Sequence, residues 1–365
     1  MKPMRLNICR SAFRPTTRPE GRPTSSREYL MLASLLLPLL APGSALAAPS
    51  ELDLLRQAGR VMEAGVTTDM PPLAPGDPAW GTAPAMLLKI YPQRSTAPGF
   101  EEAAPATLKV QALAGKGHLA LRLAWADKSE DRLDPKSTDR FADAAAVQFP
   151  ARPGRLLPYI GMGEPNNPVS LWFWRAGTVP ELAEARGFGS LSARPGTGPE
   201  VDAVHGAGEW AVVLRAPLAA NAGSPLPVAF AVWDGAAQGR DGRKWLSSWQ
   251  LLRLPGMRDD RARLRAYAAE AFTVGNAMRG EKLAAERGCS ACHRLPDGPA
   301  FDTGPALLNA GGIHWPGYMR RAILQSSSFI VPGKGYGANG VSLMPDMEWR
   351  DGEVEDLVAY LTSLK

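Results

Sequence analysis

Between residues 86 and 254, apolar and polar positions alternate in short runs. Leu108-Lys109-Val110-Gln111-Ala112 and Leu119-Ala120-Leu121-Arg122-Leu123-Ala124-Trp125 put every second side chain on one face, the period of a half-buried strand. Further strands are predicted over 145–149, 169–174, 211–214, 228–233 and 245–254, with Pro and Gly in the gaps. Short strands separated by turn residues predict an antiparallel β-sandwich or barrel. Residues 177–208, rich in Gly, Pro and Ala, are expected to form one long loop. Beyond the charged Arg258-Asp259-Asp260-Arg261 the period becomes helical. Val274, Ala277, Leu283 and Ala284 lie near one stripe of a helix predicted from an N-cap at Thr273 to Gly288. Val354, Leu357, Val358, Leu361 and Leu364 recur at helical spacing in a last helix, with Asp351, Glu353 and Glu355 at its start and Lys365 at its end. Gly280 inside the first of these helices costs up to about 1 kcal/mol relative to alanine. Its expected use is close approach of the last helix, with Tyr360 against it.

The N-terminal 47 residues read differently. Lys2, Arg5, Arg10, Arg14, Arg18, Arg22 and Arg27 precede an apolar run over 29–40 and then Ala45-Leu46-Ala47, the pattern of a Sec-type signal peptide without a twin-arginine pair. The run is shorter than the roughly 20 residues of a membrane span. The chain carries +5, but removing the segment's seven basic and two acidic residues from totals of 41 and 36 leaves 34 of each. The basicity therefore belongs to the export segment, and no basic patch with interleaved aromatics points to nucleic acid. Cys9 leaves with it, and an exported chain whose remaining cysteines sit in one motif points to a periplasmic location. The expected organisation is a signal peptide at 1–47, a β-sandwich domain at 48–256, a linker at 257–272 and an all-α domain at 273–365.

The chemistry concentrates in Cys289-Ser290-Ala291-Cys292-His293. Two thiols and an imidazole at this spacing can hold a haem by thioethers from Cys289 and Cys292 and by its iron through His293. A zinc site needs about four ligands, and no second cysteine pair exists to complete one. A dithiol redox motif should follow a strand, whereas this motif follows a predicted helix. Gly304-Pro305-Ala306-Leu307 and Met344-Pro345 come after it, and Met344 follows His293 by 51 positions. In this order the motifs resemble class I cytochromes c over residues 273–365. The resemblance implies that Pro305 accepts a hydrogen bond from His293 and that Met344 is the second axial ligand. Met319, Met347 and His314 are the alternatives to Met344, and Pro345 favours Met344 by stiffening its loop.

In the β-rich part, Gly161-Met162-Gly163 leads into 169–174, and Asp241-Gly242-Arg243-Lys244 leads into 245–254. With Trp125-Ala126-Asp127, residues 143–149 and 230–235, these stretches resemble the haem b (gamma) subunit of type II dimethyl sulfoxide reductase-family molybdoenzymes, of the ethylbenzene dehydrogenase kind, over residues 75–256. The resemblance implies a non-covalent haem b held between a methionine and a lysine, here Met162 and Lys244. Met162 is the only methionine between Met86 and Met257, and Lys244 the only lysine between Lys136 and Lys282. Taken alone, each would read as an ordinary core or surface residue. Related sandwich domains use Met and His, for which His118 and His205 are the candidates. The resemblance further implies a non-catalytic electron-transfer subunit with molybdenum and iron–sulfur subunits and a soluble cytochrome c or other redox carrier as partners. No Ser-His-Asp set, phosphate loop, paired carboxylates or open-site metal cluster is evident for substrate chemistry. The alternatives are a free-standing haem oxidoreductase, or a monohaem cytochrome fused to a non-haem sandwich.

Overall fold

In the computed structural model, which describes residues 49–365 except 94–102, 195–197, 219–222, 300, 302, 332 and 333, the alternating runs form strands where they are predicted. The strands are β1 (Val61–Glu63), β2 (Gly65–Val66), β3 (Met86–Pro92), β4 (Ala106–Gly115), β5 (His118–Ala126), β6 (Ala144–Pro150), β7 (Val169–Arg175), β8 (Glu181–Ala185), β9 (Ser192–Ala193), β10 (Glu200–Gly206), β11 (Glu209–Pro217), β12 (Leu226–Trp233), β13 (Trp245–Leu246) and β14 (Gln250–Arg253). The expected signal peptide lies outside the described residues.

One half of the sheet runs β10-β11-β5-β4-β3 and the other β13-β12-β6-β7-β8-β9, joined where β3 pairs with β13. Leu108, Leu121, Leu123 and Val212 of the first half share one buried cluster with Ala145, Val147, Trp174, Phe230 and Val232 of the second. The sheet therefore turns back on itself as a sandwich, with alternate residues of each strand inside. Two expectations change here. The presumed loop at 177–208 contains β8, β9 and β10, and the single run predicted over 245–254 is broken into β13 and β14 at residues 247–249.

The helices are α1 (Glu51–Gln57), α2 (Arg261–Ala271), α3 (Ala277–Glu286), α4 (Ala310–Ile313), α5 (Pro316–Leu324) and α6 (Glu353–Ser363). The interval expected as a linker holds α2, capped by Asp260, with Leu264, Tyr267 and Ala271 buried at helical spacing. These residues join Tyr159, Ile160, Leu246, Trp249 and Trp315 in a second core on the outer face of the β6-β7-β12-β13 half. Trp315 Nε1 donates to the Trp249 carbonyl at 3.1 Å and Tyr267 Oη to the Gly154 carbonyl at 2.8 Å. These contacts seat the helical part on the sheet.

Helix α3 begins later than predicted. Asn276 caps it, while Thr273 donates its hydroxyl to the Glu355 carbonyl, and Val274 is 93% exposed instead of joining the apolar stripe. Its crossing with α6 is as expected. A Cβ on Gly280 would collide with the Asp356 carbonyl and stand 2.8 Å from Tyr360 Cβ, so only glycine permits the approach. Asp356 then locks the crossing by accepting from Arg279 Nε and from the Asn276 backbone.

Candidate functional site

Helix α3 ends at Glu286, and Gly288, whose φ of 70° lies in the left-handed region, turns the chain into a single 3-10 turn over Cys289–Ala291. Cys289 and Cys292 are half-buried and not joined in a disulfide, and burial raises the pKa of the Cys289 thiol. His293 Nδ1 lies 2.8 Å from the Pro305 carbonyl oxygen. A carbonyl only accepts, so Nδ1 carries the proton and Nε2 keeps a free lone pair, the arrangement a metal-bound histidine requires. Burial lowers the His293 pKa and so favours this neutral ring. Gly304 makes the packing possible, because a Cβ there would stand 2.6 Å from His293 Cε1.

Cys289, Cys292, His293, Pro305 and Met344 line one large cavity. Met319 and Met347 line it as well. Met319 is 4% exposed and packs with Ala310 and Val358, as a core residue does. Met344 is on a loop pinned at its own backbone, its N–H on Ser342 Oγ and its carbonyl on Ser326 Oγ. His314 is not on this wall.

Met162 and Lys244, 82 positions apart, line a second, small cavity on the outer face of the sheet. Its floor is Ala146 on β6 and Ala229 and Ala231 on β12, small side chains at alternate positions that leave space beside a sheet. Lys244 is 6% exposed and makes no ion pair among the described residues; its Nζ is 5.0 Å from the centre of the Trp233 ring. Burial pushes its pKa down to about 8, so a neutral amine comes within reach of ordinary pH. Met162 is held at φ 76°, a costly conformation for this side chain, in a tight loop where its N–H donates to the Ile160 carbonyl and its carbonyl accepts from Gly187. Among the described residues no histidine lines this cavity. His118 begins β5, and His205 lies in β10, not in the expected loop, with Nε2 3.0 Å from the Asp127 carbonyl.

A third cavity lies between the other two. It shares Ile160 and Leu246 with the Met162–Lys244 cavity, and Pro305, Tyr318, Ala322 and Val331 with the thiol cavity. His314 is here, stacked 4.6 Å from Tyr318 and 5.9 Å from Tyr159, and burial holds its pKa down to about 4. Sequence reading did not single out Tyr159 or Tyr318, because nothing local distinguishes a cavity aromatic from a core one.

Residues 77–189 match the ethylbenzene dehydrogenase family and residues 277–365 the cytochrome c family. Over 240 residues the chain is 31% identical to a protein of Haloferax mediterranei designated a respiratory nitrate reductase heme subunit, covering 63% of this chain and 83% of that protein. It is 35% identical over 191 residues to the chlorate reductase subunit gamma of Ideonella dechloratans, covering 49% of this chain and 78% of that one. The chain belongs to this family of haem-binding gamma subunits. With the dimethylsulfide dehydrogenase subunit gamma of Rhodovulum sulfidophilum, a third gamma subunit, identity is 30% over 203 residues, half of this chain and 76% of that protein. In this gamma subunit a cytochrome c domain follows the ethylbenzene dehydrogenase-type domain in the same chain, so its cofactors are a haem b and a covalent haem c. The donor sets fit both groups. The thiol pair and a neutral His293 with Nε2 free suit haem c, and a buried lysine without an ion pair among the described residues, lining one cavity with a thioether, suits haem b.

Proposed function

We propose that this gamma subunit is a non-catalytic, periplasmic electron relay. It would connect the iron–sulfur subunit of a molybdenum enzyme complex to a soluble cytochrome c or another respiratory carrier. The observation that carries the reading is the shared wall: Pro305, whose carbonyl accepts from His293, also faces the cavity that adjoins Met162 and Lys244. When bound, the haems supply two one-electron centres. In this reading Cys289 and Cys292 would anchor haem c covalently, and His293 and Met344 would hold its iron. Met162 and Lys244 would hold the iron of haem b. Each haem would thus be held by two side chains and serve electron transfer, which is why catalysis is assigned to the partners.

Each side chain has a definable task. Pro305 fixes the His293 tautomer and ring plane. Lys244 must give up its proton, and the apolar wall of Trp233 and Leu246 lowers the cost of doing so. Tyr159, His314 and Tyr318 line the space between the two sites with stacked rings, and burial keeps His314 uncharged at neutral pH. The test is stopped-flow reduction of the complex purified with its molybdenum and iron–sulfur polypeptides. Lys244→Ala should leave the haem c spectrum intact and slow the reduction of haem c by the partner's substrate by at least about tenfold. Unchanged haem c reduction, or failure of the chain to co-purify with such polypeptides, contradicts the relay.

A further inference from the structure

Asp127, Asp143 and Asp234 stand at the end of β5, the start of β6 and the end of β12, and the relay makes no use of them. One carboxylate oxygen from each lies within 4.8 Å of those of the other two. Oxygen ligands sit about 2.4 Å from calcium, so a pair on opposite sides of the ion is separated by about 4.8 Å, and the cluster is small enough to share one ion. Asp143 is fully buried and Asp127 is 5% exposed.

Protein donors do not satisfy this cluster. Asp143 Oδ2 accepts from the Asp131 N–H and from Trp210 Nε1, and Oδ1 from the Gly235 N–H, at 2.7–2.9 Å. A carboxylate has about four lone-pair sites, so one remains. Asp234 Oδ1 accepts from the Ala237 N–H, and Asp127 Oδ1 from the Ser129 N–H. Asp127 Oδ2 is buried and no donor reaches it in hydrogen-bond geometry. The Trp125 indole N–H acts on the Asp127 carboxylate as a hydrogen-bond donor that favours its charged form, but from outside that geometry. None of the three carboxylates has a lysine, arginine or histidine ion-pair partner among the described residues. Burial, then the neighbouring Asp143 carboxylate, push the Asp127 carboxyl up to about 6. Hard oxygens without a cation of their own are the donor set of calcium rather than of a soft transition metal.

We infer that Asp127, Asp143 and Asp234 form a calcium-binding site that ties three strand ends together beside the proposed haem b cavity. The link to the cavity is Asp234. It follows Trp233, whose ring faces Lys244 Nζ, and its backbone N–H and carbonyl lie against Gly239 in the turn that leads to Lys244. A bound ion would brace that turn. The site itself does not depend on the relay reading.

The experiment uses the full chain with its haems, freed of divalent ions by chelator. Terbium(III) is titrated and read by luminescence excited through tryptophan, because Trp210 donates directly to Asp143; calcium is then added as competitor. Saturation near one equivalent, displacement by calcium, and at least tenfold weaker binding in Asp127→Asn are expected, with haem absorbance and far-ultraviolet circular dichroism of the variant unchanged. Asp234→Asn is the second variant, should Asp127→Asn fail to fold, and is expected to weaken binding equally. Emission that calcium does not displace, or equal binding by wild type and the folded variants, overturns the site. So does a calcium-indifferent melting temperature combined with a rise in Asp127→Asn, because the carboxylates would then be holding a shared proton.

Discussion

At the scale of the residue, Lys244 and Gly304 carry the most pointed consequences. The Lys244 ammonium titrates near 10.5 in water and near 8 in its buried place. Between these values the unfolded chain binds more protons than the folded one, so the haem-free protein gains stability as pH rises through that window, and the penalty is fully present below about 8. Iron must displace the same proton. Haem b uptake by haem b-depleted protein should therefore weaken by about tenfold per pH unit below 8 and level off above it. Haemin titrations across roughly pH 6 to 9 check this, and a flat profile removes Lys244 as ligand. Gly304→Ala places a Cβ 2.6 Å from His293 Cε1. The ring must turn off the Pro305 carbonyl, so the haem c absorbance and reduction potential should shift while the covalent haem content stays unchanged.

At the scale of the element, the crossing of α3 and α6 sets the frame around the thiol cavity. In Gly280→Ala, alanine's better helix propensity, up to about 1 kcal/mol, is set against a collision with the Asp356 carbonyl, which is backbone and cannot rotate away. Overpacking typically costs about 1–3 kcal/mol, so the collision wins and the melting temperature should fall. A melting temperature at or above wild type would mean that the helices are not held at this distance. What the sequence made legible at this scale follows from pattern strength. β4, β5, β7 and β12 were predicted because large apolar residues recur in short runs between turn residues. β8 reads Glu-Leu-Ala-Glu-Ala, with alanine as most of its apolar face, and β10 is a half-exposed edge strand. Neither presents the contrast that periodicity requires. Helix α2 was read as a linker because six of the eleven residues from 258 to 268 are charged, which hides the buried Leu264 and Tyr267.

At the scale of the whole molecule, the two candidate haem sites differed in legibility for a geometric reason. Cys289, Cys292 and His293 lie within five residues, so local chemistry names their cofactor. Met162 and Lys244 meet only because β6, β7, β12 and β13 pair as they do, and resemblance to known subunits supplied what spacing could not. Asp127, Asp143 and Asp234 went unread as a set for the same reason, each standing alone at a strand end. The shared wall at Pro305 is legible only in three dimensions, because it requires the helical part to be seated on the outer face of the sheet through Trp315 and Tyr267. Loosening that seat should uncouple the sites. Trp315→Ala, which removes a buried indole and its hydrogen bond to Trp249, should lower the melting temperature and slow electron equilibration between the haems while leaving each haem's spectrum recognisable. Flash-photolysis kinetics read this, and an unchanged interhaem rate would mean that the path does not cross this contact. The most direct measurement of all is pyridine haemochrome analysis of the purified chain. One haem b and one haem c per polypeptide is the expected result, and haem c alone would contradict a two-haem relay.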